Sequence, residues 1–245
     1  MTFFRIFKPQ KSSMRIIAVL LLMCGICWAQ EPVVEYPDFD TVDSLYREDQ
    51  FYIGFTYNIL QQRPEGVRQN KFSAGFYAGM LRDMPINDTR TVSIAAGLGY
   101  SLQNYSQNLI VAGDSENPTY SIIDADQNFY DKNKLSLHFV ELPIEFRWRT
   151  STPESHRFWR VYTGLKFSYL VYSRSIYDGE PQREIVKQNA DLNTFRYGAY
   201  LATGYNTWNF HIYYGLNPIF KKDAQLDGQP IDMKTLNIGL MFYIL

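Results

Sequence analysis

The chain has 245 residues, a formal net charge of −1 and an aromatic content of 16%, with 19 Tyr and 17 Phe. A helical membrane protein needs segments of about 20 apolar residues, and no such run occurs after residue 29. The charge argues against a nucleic-acid partner. Mean hydropathy of −0.28 leaves a soluble all-β protein and a membrane barrel both open, because lumen-facing residues of a barrel cancel lipid-facing ones in the average.

At the N-terminus Arg5, Lys8, Lys11 and Arg15 precede the apolar stretch Ile16–Cys27, which ends in CWAQ. This pattern is that of a secretory signal over residues 1–29, cut after Ala29, with Cys27 and Ala29 as the small residues the cut requires. An anchoring helix is the alternative, for which the run is short. A lipoprotein site at LLMCG is disfavoured by the bulky Met23 before Cys24. Both cysteines lie in this segment, so the mature chain is expected to carry no disulfide and no cysteine metal site. Losing four basic residues takes the formal charge from −1 to −5.

Residues 30–49 form an acidic leader, with Glu35, Asp38, Asp40, Asp43, Glu48 and Asp49 against a lone Arg47. It reads either as a spacer or as a periplasmic docking segment. From residue 50 the chain shows eight runs of period two, the signature of strands with two unlike faces. In Phe51–Leu60 the apolar set is Phe51, Ile53, Phe55, Tyr57 and Ile59; Phe72–Leu81 and Thr91–Gln103 repeat the pattern. In the fourth run Val140, Leu142, Ile144, Phe146 and Trp148 alternate with Glu141, Pro143, Glu145, Arg147 and Arg149. Its start, Leu135, Leu137 and Phe139, is odd-numbered, so a bulge near Phe139–Val140 is expected. Pro143 lacks an N–H and should interrupt the ladder. The fifth run sets Trp159, Val161, Thr163, Leu165, Phe167, Tyr169 and Val171 against Arg160, Tyr162, Gly164, Lys166 and Ser168; Phe195–Tyr205, Trp208–Leu216 and Thr235–Leu245 complete the series.

The links alternate in length. Asp83–Arg90, Thr150–Arg157 and Asn206–Thr207 are short; Gln61–Lys71, Tyr105–Lys134, Tyr172–Thr194 and Asn217–Lys234 are long, mostly polar and expected to be mobile. Runs of about ten residues, apolar on one face, with short links on one side and long ones on the other, are the pattern of an outer-membrane barrel. The expected fold is all-β, an eight-stranded antiparallel transmembrane β-barrel over residues 50–245. Both termini are expected in the periplasm and the long links outside the cell. Aromatic residues near strand ends, such as Trp148, Trp159, Tyr205 and Trp208, fit interfacial girdles.

The polar faces gather Glu141, Glu145, Arg147, Arg149, Arg160, Lys166, Arg196 and His211 in one narrow lumen. The first seven are expected to form a structural charge network with cross-strand partners, since residues two apart in one strand share a face without necessarily touching. A conducting pore or proton relay is the alternative. Arg147, Arg149, Arg157 and Arg160 flank the short link Thr150–Arg157 and make a basic rim, which would hold either the acidic leader or an acidic partner. His138, His156 and His211 have no metal-ligand spacing such as HExxH. A Ser/His/acid set built on His138 and Glu141 is a weak catalytic candidate, and Asp114, Asp124, Asp126 and Asp131 lack the twelve-residue calcium-loop pattern. No phosphate-binding glycine loop is present, so no cofactor, no metal and no enzyme activity are expected.

ELPIEFRWRTSTPE followed by FWRVYTGLKFSYL, with LRDMPIN, GLGYSLQ, GLNPIF and IGLMFYIL, resembles the PorT (SprT) proteins of the type IX secretion system over roughly Phe51 to Leu245. The resemblance implies an outer-membrane barrel needed for export and maturation of cargo, including secreted proteases and the surface adhesins of gliding motility. It implies other secretion subunits and outer-membrane lipid as partners, and it carries no catalytic residues. The alternative is a general small barrel for adhesion or envelope stability.

Overall fold

The computed structural model describes residues 49–69, 71–123, 130–150, 158–180 and 182–244. The signal segment, the acidic leader up to Glu48 and residues 151–157 of the basic-rim link lie outside the described residues. Eight antiparallel strands close into a barrel: β1 (Gln50–Gln61), β2 (Ala74–Pro85), β3 (Val92–Ser106), β6 (Tyr130–Arg149), β7 (Trp159–Gly179), β9 (Phe195–Tyr205), β10 (Trp208–Gly215) and β13 (Lys234–Ile244). Each pairs with the next, and β1 pairs with β13 to close the ring. Full closure leaves no unpaired strand edge, which is what allows a sheet to cross a membrane. Among the described residues no helix is long and apolar enough to do so.

The alternation in the sequence becomes the two faces of the wall. Phe51, Phe55, Leu98, Leu142, Phe146, Leu165, Leu201 and Phe210 are exposed outward, while Tyr52, Ser101, Glu141, Glu145, Lys166, Tyr200 and His211 are buried inside. Pro143 interrupts the β3–β6 ladder as expected: pairing runs to Ala96↔Ile144 and resumes at Gly99↔Glu141.

An irregularity does fall at Phe139, as expected, but the partner strand carries it and not β6. Leu135, Leu137 and Phe139 are buried on the same inward face as Glu141 and Glu145, so β6 keeps one parity from Asn133 to Arg149 and its own extra residue is not at Phe139–Val140. The register slips in β7 instead, where His138↔Tyr172 is followed by Phe139↔Leu170 and Val171 is the extra residue. Below this point the even residues Arg160, Tyr162, Lys166 and Ser168 are buried; above it the odd residues Ser173, Ser175 and Tyr177 are. What changes along β6 is the interior it faces, from polar to apolar.

The apolar part of that interior belongs to the long links. β6 and β7 run for 20 and 21 residues, about twice the 9–11 a membrane strand needs, so they project beyond the wall. Around them fold a β4–β5 hairpin (Leu109–Gly113 and Pro118–Ile122), a strand β8 (Glu184–Lys187) paired with β7, and a small β11–β12 hairpin (Gln225–Leu226 and Gln229–Pro230). Leu60, Val67, Tyr105, Leu109, Leu192, Ile219, Phe220, Leu226, Ile231 and Met233 pack with Leu135, Leu137 and Phe139 into one buried cluster. The links bond to one another through Asn108 N to Arg68 O at 3.0 Å, Ala190 N to Ser115 O at 2.8 Å and Asn193 N to Ile219 O at 2.9 Å. Contrary to the expectation of loose polar loops, their described parts form a cap with its own core.

The opposite end is plain. β2 and β3 join through a tight turn in which Arg90 takes a φ of 58°, and β9 and β10 join through Asn206 and Thr207, with Asn206 at 56°. Asn tolerates this left-handed conformation better than most residues.

Candidate functional site: a filled, charged lumen

Period two sends every second residue of each stave inward, and in a barrel of eight strands the inward side chains fill the space. The described part of the lumen is stacked in tiers. Nearest the short turns, Asp83 is fully buried at the end of β2. Its Oδ1 lies 3.1 Å from Arg147 Nη1 and its Oδ2 2.8 Å from Arg149 Nη2, while Ser93 Oγ donates to Oδ1 at 2.6 Å. Arg149 Nε donates to the carbonyl of Arg90 at 3.0 Å, closing the turn against the lumen. Arg147 Nε donates to Glu145 Oε2 at 2.7 Å, and Tyr200 Oη donates to Glu145 Oε1 at 2.8 Å.

The middle tier centres on Lys166. Its Nζ is 3.1 Å from Glu141 Oε2 and 4.3 Å from the centroid of the Tyr77 ring, with Tyr200 and Tyr213 each at 5.3 Å. Ser101 Oγ donates to Glu141 Oε1 at 2.7 Å. A buried ammonium is tolerable only with such compensation: one carboxylate and the negative faces of aromatic rings. His211 sits beside the Tyr77 and Tyr200 rings. The void lined by Tyr52, Glu145, Lys166, Tyr200 and His211 is about 10 Å³, room for roughly one water. Glycines make this filling possible: a Cβ on Gly99 would lie 2.0 Å from Tyr52 Oη.

Of the seven charged residues expected in the lumen, all are buried. Glu145 meets Arg147 and Glu141 meets Lys166, while Arg147 and Arg149 share Asp83. The Glu145–Arg147 contact runs along one strand, where cross-strand partners were favoured; side chains two apart, 6–7 Å in backbone rise, are bridged by the long arginine. Five buried bases face three buried acids, Asp83, Glu141 and Glu145, among the described residues. Arg160 and Arg196 are the two without a carboxylate partner there. Arg160 lies 4.5 Å over the Phe158 ring, with Tyr243 at 5.6 Å and Tyr162 at 5.8 Å; Arg196 lies 5.7 Å from the Phe139 ring.

Asp83, which the short link Asp83–Arg90 would put in a turn, is instead a buried residue of β2 and part of the network. Its signal was present: Ser73, Tyr77 and Leu81 share its parity, and extending the run past Leu81 puts Asp83 inward. Because Arg147, Arg149 and Arg160 are buried, the exposed basic rim is not built from them. The catalytic candidate also fails. His138 and Glu141 are three apart in one strand and point to opposite faces, His138 toward Tyr100 and Tyr172 outside and Glu141 into the lumen. Asp114 is occupied in a turn, accepting from the amides of Glu116 and Asn117, while Asp124 and Asp126 lie outside the described residues. Among the described residues no group of three acids, histidines or cysteines is placed to hold a metal.

Residues 28–221 match the family described as outer membrane protein beta-barrel domain. No curated protein matches the sequence. Among solved structures the chain is similar to one described as "Asymmetric conductivity of engineered proteins", at 10% identity and a TM-score of 0.20, covering 81% of this chain and 100% of that one. It is similar also to a mutant of Rh. blastica porin, at 9% identity and a TM-score of 0.20 over the same shares.

Proposed function

The chain belongs to the outer membrane protein beta-barrel domain family, and on that premise we propose that this barrel works by holding protein partners at its ends rather than by passing solute or by catalysis. The observation that carries the reading is the interior: tyrosines and paired charges fill the lumen, and an apolar cap core stands over its long-link end. A barrel so filled has its surface left as the working part, and a cap with its own core presents a preorganised one, which lowers the ordering cost of binding.

The partners proposed are the other subunits of a type IX secretion machine, with cargo export and maturation as the role. The support is the resemblance of the β6–β7 hairpin, EFRWRTSTPE to FWRVYTG, to PorT proteins. In this reading the short turns and the leader face the periplasm and the cap faces outward. Deleting the gene tests it: secreted proteases and adhesins should accumulate in the periplasm, and the intact chain should restore their export. Normal secretion with weakened adhesion or a leaky envelope would instead establish a general envelope barrel.

A further inference from the structure

Lys134 on β6, Arg174 on β7 and Lys187 on β8 stand in a row on the outer wall near the cap. The ladders fix their order. Arg174 lies directly opposite Lys187, and Ser136 lies opposite Arg174, which puts Lys134 one diagonal step away on the same face. That face is the outward one, since Leu135, Leu137, Ser173, Ser175 and Val186 between them are buried. Diagonal neighbours in a sheet are about 7–8 Å apart, and like charges at such positions repel. The acid in register on this face is Asp178, opposite Lys132 and two residues farther out than Ile176, and it is 3.9 Å from Arg183. Arg174 Nε is buried and has no hydrogen-bond partner among the described residues.

Following the same face toward the short turns, the chemistry changes in order. His138 lies opposite Tyr172, with their rings 5.3 Å apart, and Tyr100 Oη bonds to His138 Nδ1. Beyond them Tyr169, Val140, Val171 and Leu142 are exposed. An apolar band, then an aromatic belt, then cations is the sequence of layers of a membrane surface: acyl chain, interface, headgroup. Arg174 is one two-residue step, about 7 Å, from Tyr172 along the strand.

We propose that Lys134, Arg174 and Lys187 bind the phosphate of a membrane lipid headgroup at this boundary, with the acyl chains lying over the Tyr172–His138–Tyr100 belt. The guanidinium supplies paired donors to two phosphate oxygens, and the two ammonium groups supply point charges on either side. The bound anion relieves the repulsion within the row and gives Arg174 Nε a partner.

Native mass spectrometry of the folded full chain in neutral detergent tests this with two probes of equal acyl length, dimyristoyl phosphatidic acid and dimyristoylglycerol. The parent should retain the first and not the second. The triple variant Lys134→Gln, Arg174→Gln, Lys187→Gln should bind the phosphatidic acid about 100-fold more weakly, each cation contributing roughly fivefold. Lys221→Gln with Lys222→Gln, a change of exposed cations elsewhere on the cap, should bind as the parent does. Migration of unboiled samples checks that each variant is folded. Equal retention by the triple variant, or equal binding of dimyristoylglycerol, overturns the proposal. Displacement of the lipid by millimolar inorganic phosphate overturns the lipid assignment in favour of a free-anion site.

Discussion

Asp83 and Arg149 meet at 2.8 Å inside the barrel although 66 residues separate them. They belong to β2 and β6, strands that do not pair with each other, so the contact reaches across the inner face of β3. With Arg147 of β6 and Ser93 of β3 bound to the same carboxylate, one acid ties three staves at the end where the turns are short.

Asp83→Asn should therefore lower stability by about 3–5 kcal/mol, the range for breaking a buried pair by removing one partner. Denaturant titration of the refolded barrel in detergent reads this directly. Combined with Arg149→Met, the loss should be smaller than the sum of the single losses, because the charge that Asp83 compensates has gone too. Additive losses would show that the pair is not coupled.

Glu145 holds Arg147 through Oε2 and Tyr200 through Oε1. Glu145→Ala should cost about 3–5 kcal/mol, and Tyr200→Phe less, about 1.5–3 kcal/mol, the scale of one hydrogen bond to a charged group. If Glu145→Ala unfolds at the parental denaturant concentration, the charge network has no structural role.

Gly99→Ala should destabilise the barrel by about 1–3 kcal/mol, the scale of overpacking in a filled core. The new Cβ would fall 2.0 Å from Tyr52 Oη and 3.1 Å from its Cζ. Adding Tyr52→Leu to Gly99→Ala should recover part of the loss, which a backbone origin of the strain would not allow.

Phe220 is buried in the cap, with its ring edge-on to Tyr120 at 5.6 Å. Phe220→Ala should cost about 3–5 kcal/mol of local stability. Hydrogen exchange should accelerate in the links while β1, β2, β9 and β10 stay protected. Uniform acceleration across barrel and cap would mean that the two unfold together.

The cap should also loosen in base. Tyr120 donates to Asp191 Oδ2 at 2.9 Å, and burial, with the Asp191 carboxylate adding to it, raises its phenol above the ordinary value near 10. A group raised on folding contributes stability that is full below its unfolded pKa and is lost as pH rises through the folded one. Protease resistance of the β4–β5 link should be flat up to about pH 10 and fall above it, and Tyr120→Phe should weaken that dependence, with the buried Tyr105 phenol of the same core, also raised by burial, accounting for the rest.

How much of this was legible in the sequence depends on what kind of contrast each residue offered. Where one face of a strand is apolar and the other polar, parity is a local property: Phe51 to Leu60 or Phe195 to Tyr205 each declares its own two faces, and lipid outside a polar lumen decides which is which. That local rule was enough for the eight staves, for the closed barrel and for the inward placement of Glu141, Glu145, Arg147, Arg149, Arg160, Lys166 and Arg196. It failed where both sides of the wall are apolar. Leu135, Leu137 and Phe139 look like lipid-facing residues, and only the cap core, assembled from residues as far apart in the chain as Leu60 and Met233, makes the inside of the barrel apolar at that height. Partners were likewise a tertiary matter. A strand's pattern states that Asp83 and Arg149 point inward, but the stagger that brings them to 2.8 Å across β3 belongs to the closed barrel, because closure fixes how far each stave slides against the next.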